Sequence, residues 1–428
     1  MKTLVIFSLM LMLNAASADW PRFRGPNGTG VSDATTIPTE WTDEDFNWAV
    51  DLPGEGHGSP VAVGDRIYVL CGNMFTAQRS VVCVSASKGE ILWEKKYKSA
   101  PHYLHRDNNY ASSTPAADNK GVVVTWTSPS TFILLALDKD GNELWKKDFG
   151  EYKASWGGAP SPIIAGDVVV VMNDQMDPKI QRAFLPENTS EEYINTPGKS
   201  FAIAFDRKTG EELWKIDRKS IVAGYSTPCV RELDNGNREV IFIGTGNGMT
   251  AVDLASGKVN WTIAVLRTRT CMAVVLADGL VIGSGGNGLV GDTLVAVRPP
   301  SKKGDKPEVV FELKKSVPLV PTALYKDGLL YLAQDTGVLS CVNAANGEQV
   351  WRKRTRGRYY ASPIAVGDRI FFVNRHGDVL VLKAGDAFEQ LAKNSLGDDC
   401  SATPAIVNGR MIFRTATQLL SVGGKQQP

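Results

Sequence analysis

The chain holds only four histidines, and two of them fall in one short segment, S-A-P-H-Y-L-H-R-D-N-N-Y, at residues 99–110. His102 and His105 with Asp107 have the residue types of a metal site or an acid/base pair, because imidazole both ligates metals and exchanges protons near neutral pH. Histidines three apart on an irregular segment equally describe a polar surface loop, and no metal is assigned to them. Asn108 and Asn109 extend the same polar run. Trp156, followed by Gly157 and Gly158, offers an indole for stacking. Asp174 and Gln175 open an insertion that reaches Lys199. Basic residues gather in two further segments, Arg267 with Arg269, and Arg354, Arg356 and Arg358 before Tyr359 and Tyr360. Guanidinium forks sharing one face would bind carboxylate or phosphate; the alternative is a set of surface charges paired with Asp398 and Asp399.

All these residues sit where an internal repeat is interrupted, so the repeat must be what positions them. Two signatures alternate along the chain. The first is Ser/Thr-Pro, a short apolar stretch and a turn: Ser59-Pro60, Thr114-Pro115, Ser161-Pro162, Thr227-Pro228, Ser362-Pro363 and Thr403-Pro404. Val320-Pro321 is a looser copy, and Cys271-Met272 has matching spacing to a following Asp-Gly. The second is GxxxW, at Gly89 to Trp93, Gly141 to Trp145, Gly210 to Trp214, Gly257 to Trp261 and Gly347 to Trp351. Seven intervals from Pro60 to Pro404 average about 49 residues, the size of four short strands and their turns. Between the signatures the runs Arg66 to Leu70, Val168 to Met172, Val240 to Ile243, Leu329 to Leu332 and Ile370 to Val373 are β-branched or aromatic, with almost no helix-period segments.

These features predict an all-β fold, an eight-bladed β-propeller with four-stranded antiparallel blades. Phe311 is expected to stand in for a sixth closing Trp and Leu391 to mark a seventh. The eighth unit opens near Cys400 but ends without a closing strand. Phe46 to Leu52, which carries Trp48 in the closing pattern, is expected to supply it, so that the N-terminal strand closes the ring and no sheet edge is left exposed. Seven blades is the alternative if a weak unit is miscounted. Trp48, Trp93, Trp145, Trp214, Trp261 and Trp351 are read as structural wedges between neighbouring blades. A propeller presents its closing-to-opening loops on one face around the axis. That face is therefore expected to carry the candidate residues.

Composition narrows the function classes. With 43% hydrophobic residues and 41 Gly the chain is globular and turn-rich. Its net charge of +1 gives no electrostatic reason to invoke nucleic acid or an anionic membrane. Lys2, the apolar run Leu4 to Leu13 and Ala16-Ser17-Ala18 predict a cleaved secretory signal over residues 1–18. The apolar run is too short to span a bilayer, which needs roughly 20 residues. No integral membrane segment is expected after cleavage. The organisation is read as signal 1–18, an N-terminal extension 19–45, a propeller 46–422 and a tail 423–428, in an exported, periplasmic or extracellular monomer. Of the six cysteines, Cys83 and Cys341 occupy repeat positions filled elsewhere by Leu135, Ala204 and Ala251 and read as core residues; Cys229, Cys271 and Cys400 lie near inner-strand starts, where one bridge would be compatible with an oxidising compartment.

The alternation of S/T-P-x-x-x-G-D with a segment that ends in GxxxW, as in Val84 to Trp93 and Ala204 to Trp214, resembles the pyrroloquinoline-quinone (PQQ)-like propeller repeat family over residues 46 to about 422. That family includes quinoprotein dehydrogenases, the propeller lipoprotein of the outer-membrane barrel-assembly machinery, and exported bacterial proteins of unassigned role. The segment Asp19-Trp20-Pro21-Arg22-Phe23-Arg24-Gly25-Pro26 resembles the start of the last group. The resemblance implies a quinoprotein-like ring and, in one reading, a PQQ- and Ca2+-dependent oxidoreductase acting on alcohols or sugars. Quinoprotein dehydrogenases resemble one another in a vicinal Cys-Cys pair. No two cysteines are adjacent here, and no CxxCH, HExxH, nucleophile elbow or phosphate-cradling loop appears. The leading expectation is an exported binding or scaffolding module, with a protein, small-molecule or glycan ligand on the axial face and no cofactor. A hydrolase using His102 or His105 as its base is a further rival.

Overall fold

The computed structural model describes residues 19–424 apart from positions 186, 188, 289 and 303; the expected leader and the last four residues lie outside that range. Eight sheets succeed one another along the chain, each with four antiparallel strands. Blade 1 shows the pattern, with Val61–Val63, Arg66–Gly72, Arg79–Ser85 and Ile91–Tyr97 running from the axis outwards. The three-residue inner strand follows Ser-Pro, and the middle strands are buried on both faces, which is why their sequences read as unbroken apolar runs.

Eight blades are present, and the ring closes as expected. Phe46–Asp51 pairs antiparallel with Gln418–Gly423, with Trp48 opposite Ser421 and Asp51 opposite Gln418. Blade 8 is thus built from the two ends of the chain.

The Ser/Thr of the opening signature has a role the sequence did not suggest. In six blades its hydroxyl accepts the backbone N–H of the equivalent residue in the preceding blade, while Thr227 of blade 4 accepts the Val274 N–H through its carbonyl instead. Ser59 N–H donates to Thr114 Oγ1 (2.9 Å), Thr114 to Ser161 (3.0 Å), Thr322 to Ser362 (2.9 Å), Ser362 to Thr403 (2.8 Å) and Thr403 back to Ser59 (3.1 Å). A belt of hydroxyl–amide bonds therefore laces inner strands together around the axis. Two copies of the signature were placed out of register. In blade 6 the belt residue is Thr322, which follows Pro321. In blade 5 it is Ala273, whose N–H donates to Thr322 Oγ1 (3.0 Å) but which has no hydroxyl to accept a bond in return.

The closing tryptophans wedge between blades. A Cβ added to Gly210 (φ 69°) would lie 2.6 Å from the Trp145 ring, so the glycine of one blade is the seat for the indole of the blade before it. The indole N–H then reaches a carbonyl beyond the seat: Trp48 to Ala86 (3.1 Å), Trp93 to Lys139 (2.7 Å), Trp145 to Arg207 (3.1 Å) and Trp214 to Leu254 (2.9 Å). Phe311 takes the same seat on Gly347. Trp261 instead donates to Glu239 within its own blade (3.2 Å).

Leu391 does not mark the seventh wedge. Strand pairing puts Ala392 opposite Val381, the position that Trp351 holds opposite Cys341, and leaves Leu391 41% exposed. Trp41 of the N-terminal segment joins the buried cluster that contains Ala392, with its ring 5.6 Å from Phe413 and its backbone N–H donating to Asn394 Oδ1 (3.0 Å). A residue from outside the repeat compensates for the missing indole.

The rest of that segment runs inside the ring. Trp20 bridges Ala62 of blade 1, Pro21 O accepts from Ala117 of blade 2, Asn27 bonds Val230 of blade 4, and Val31–Ser32 adds a parallel strand to Ile364–Val366 of blade 7. Residues 19–32 thus touch the innermost strands of four blades and plug the channel. The cysteines form no disulfide among the described residues.

Two substitutions separate wedge from surface. Trp214→Ala should lower unfolding free energy by ~3–5 kcal/mol in denaturant titration, the range for large buried residues. Leu391→Ala should change it by less than ~1 kcal/mol, within the range for surface positions away from packed contacts.

Candidate functional site

At the end of the ring where the inner strands begin, the channel widens into a cavity of about 1020 Å3. Ser59, Thr114, Ser161, Thr227 and Thr403 line its wall, and Phe23 of the plug contributes to its lining. The closing-to-opening loops form its mouth, joined by hairpins between second and third strands that reach the same face.

Of the residues singled out in sequence, His105, Asp107, Asn108, Trp156, Arg269 and Tyr360 line this cavity. Asp107 reaches across the axis: its Oδ1 accepts from Arg375 Nη1 at 2.6 Å, and its Oδ2 lies 3.8 Å from Arg358 and 3.9 Å from both Arg106 and His105. Burial pushes the Asp107 carboxyl up, but the hydrogen bond and charge of Arg375, with Arg358 behind it, hold it below the usual carboxylate range. Arg375 also lies 4.5 Å over the Tyr360 ring, and Arg358 donates to the Tyr360 hydroxyl at 3.0 Å. Of the arginines in the 354–358 loop, Arg358 alone lies near Asp107, and Asp399 is engaged by His376 at 3.6 Å. Across the mouth the Arg269 guanidinium sits 4.4 Å over Trp156 and donates to Gly288 O at 3.0 Å. One face of that indole is covered by the chain's own arginine. Asn108 ties the two loops, donating to Trp156 O at 2.6 Å.

The other candidates lie elsewhere. His102 stacks edge-on against Tyr110 and is held by its own loop, with Nδ1 3.0 Å from Ala100 O; burial lowers its pKa. Asn109 is buried, and its Oδ1 accepts the Ala111 N–H (2.9 Å). Asp174 is interior, with both oxygens bound by Arg218 (2.6 and 3.0 Å), so the carboxylate that opens the insertion is a strut, not a contact residue. The insertion itself does hang over the face, where Gln181, Ala183 and Leu185 line the cavity. Arg267 and Arg356 are exposed and do not line it.

The sequence reading missed His57, Tyr225, Asp335 and Arg375. His57 lies between the closing strand Phe46–Asp51 and the first Ser-Pro, so the rule that selected residues 99–110 would have found it. Burial, reinforced by Arg375 and Arg414, pushes its pKa down to about 4. Asp335 and Arg375 stand on second-to-third-strand hairpins, a class of loop that reaches the same face without interrupting the repeat. Asp335 accepts the N–H groups of Leu319 (2.7 Å) and Val320 (3.1 Å), yet burial outweighs them and raises its pKa to about 6. Burial pushes the Cys271 thiol up to about 11, which leaves it protonated and a poor nucleophile at neutral pH.

The donor set does not fit a quinone held with Ca2+. The two cavity carboxylates are engaged, Asp107 by Arg375 and Asp335 by backbone amides, and Arg269 occupies the Trp156 face. Among the described residues no group of three or more His, Cys, Asp or Glu is placed to hold a metal ion. The geometry suits recognition of anionic groups, with the guanidiniums of Arg106, Arg269, Arg358 and Arg375 and the rings of Trp156 and Tyr360 set against the carboxylates of Asp107 and Asp335 around one opening.

An axial cavity inside an eight-bladed ring with this repeat defines a propeller of the PQQ-like class. The chain belongs to the family described as outer membrane protein assembly factor BamB, which matches residues 40–180, 175–304 and 312–421. It is 21% identical over 403 residues to the outer membrane protein assembly factor BamB of Burkholderia pseudomallei, covering 90% of this chain and 91% of that protein. A polyvinylalcohol dehydrogenase of Pseudomonas is 24% identical over 336 residues, covering 72% of this chain but 46% of the relative. Among solved structures, BamB from Moraxella catarrhalis superposes with TM-score 0.60 at 16% identity, over 90% of this chain and 98% of that one. A europium-containing methanol dehydrogenase superposes with TM-score 0.64 at 12% identity, over 95% and 89%. These structural likenesses concern the fold.

Asp335 gives the site a pH signature. Its folded pKa lies above the unfolded value of roughly 4, so the unfolded chain ionises first and stability falls as pH rises from about 4 to about 6. His57 acts oppositely, costing stability as pH falls below roughly 6.5. Asp335→Asn should remove the first effect alone. Denaturant titrations at pH 4 and pH 7.5 should show the variant gaining ~2 kcal/mol on the wild type between them.

Proposed function

We propose that this protein is an exported, non-enzymatic propeller that binds partner proteins through the axial mouth and holds them for assembly. The observation that carries this reading is the cationic and aromatic mouth, with Arg106 and Arg269 on the cavity wall, Arg358 and Arg375 at its rim, and Trp156 and Tyr360 between them. Family membership supports it, since the name of the family refers to outer membrane protein assembly. Export rests on the predicted leader; no helix among the described residues is long and apolar enough to cross a membrane. A guanidinium stacked on an indole presents a planar fork that takes a carboxylate side-on. The ligand favoured is an extended segment of a partner protein bearing Asp or Glu side chains.

The test is fluorescence polarisation with labelled decapeptides of acidic, neutral and basic composition. The acidic peptide should bind best, more weakly as salt rises, and Arg269→Ala or Trp156→Ala should each weaken it ~10-fold. Equal binding of all three peptides, or none, would overturn the proposal. Quinone absorbance with dye-linked alcohol or sugar oxidation after adding PQQ and Ca2+ would establish the oxidoreductase reading in its place.

A further inference from the structure

The plug poses a charge problem separate from the mouth. It carries two arginines, Arg22 and Arg24, on either side of the cavity-lining Phe23. Both side chains are buried, Arg24 completely. A guanidinium stays charged in proteins and offers five N–H donors. Arg22 Nη2 donates to Pro228 O, and its Nε has no partner. Arg24 is worse served: Nη2 has one long bond to Thr29 O (3.4 Å), while Nε and Nη1 are buried without any. Neither arginine forms an ion pair among the described residues. Arg207 is clamped by Asp118 (2.9 and 3.0 Å) and Arg218 by Asp174. Arg79 and Arg414 are likewise buried away from any carboxylate, but each places both terminal nitrogens on acceptors, Arg79 on Ala77 O and Thr127 O, Arg414 on Gly58 O and Cys71 Sγ, where Arg24 has one long bond.

The surroundings are shaped to keep the charge where it is. Arg24 takes a left-handed backbone conformation (φ 61°), and a Cβ at Gly30 would come 2.7 Å from its Nη2. The glycine lets the guanidinium lie against the plug's own backbone. Burial lowers the pKa of Arg22 to about 10 and of Arg24 to about 9, where the charge of Arg22 adds to the effect. Two cations buried near one another with orphaned donors are strongly unfavourable unless an anion accompanies them.

We propose that the plugged channel holds a small inorganic anion, a halide or a tetrahedral oxyanion, bound by Arg24 Nε and Nη1 with Arg22 alongside. It is a structural counter-ion, enclosed between the plug and the inner strands, and independent of any ligand at the mouth. Its binding to the folded chain alone makes it a stabiliser of the ring.

The experiment uses the full chain, exchanged into sodium gluconate, whose anion is too bulky for such a site. Melting is then followed as chloride, phosphate or sulfate replaces gluconate at constant ionic strength. At least one of the three should raise Tm by ~3 °C at a hundredfold excess over its dissociation constant. Arg24→Met should abolish that rise. A rise with chloride assigns a halide, and a rise with phosphate and sulfate alone assigns an oxyanion. Should the variant fail to fold, crystals of the wild type grown in bromide or sulfate decide the matter by anomalous scattering at Arg24. Identical Tm in all four salts, a rise that survives Arg24→Met, or water alone beside Arg24 would each overturn the proposal.

Discussion

The belt of hydroxyl–amide bonds around the axis is the interaction on which the rest depends. A proline follows most belt residues, so the inner strand is entered through a residue that offers no N–H of its own. The N–H just before it is turned sideways to the neighbouring hydroxyl, and the strand start is satisfied between blades and not within one. Each such bond is worth only ~1 kcal/mol net. Their run from Ala273 through Thr403 and Ser59 to Ser161 nonetheless fixes seven of the eight inner strands at a common height, and that common height gives the cavity a wall and its loops a shared rim.

At the outer edge the constraint is steric. An indole from one blade lies on a glycine of the next, so each pair sets the spacing between blades as the belt sets their height. Where the pattern fails, the protein supplies a replacement from nearby in space. Phe311 substitutes within its blade, and Trp41 arrives from the N-terminal segment to join the cluster around Ala392. The plug, the Trp41 crossing and the closing strand occupy successive stretches of one continuous segment, which passes from the axis to the perimeter.

The architecture was legible because it repeats. Period, strand type, blade number and the exchange of a terminal strand all follow from signatures counted many times over, and errors arose only at degenerate copies such as Leu391 and Val320-Pro321. The plug was not legible, since nothing in a local pattern tells whether Asp19 to Ser32 lies outside a ring or within it. The site was half legible. Loops that break the repeat do gather at one mouth, and His105, Asp107, Trp156, Arg269 and Tyr360 meet there. Which member of a loop faces inward was not readable, as Asp174 and His102 show. Asp107 pairing with Arg375 is a contact 268 residues apart, set by ring geometry and carried by no local signal.

The internal position of residues 19–32 dictates an order of events. This stretch emerges before any blade exists, yet its partners are spread from Ala62 to Val366, so it has no lasting place to rest until most of the chain is available. The ring must therefore condense around a strand already present, like a barrel raised about its spindle. Such late, long-range consolidation is slow by topology and leaves the apolar blade faces uncovered meanwhile. A cell making this molecule must keep its early half apart from other nascent chains until the last strand arrives.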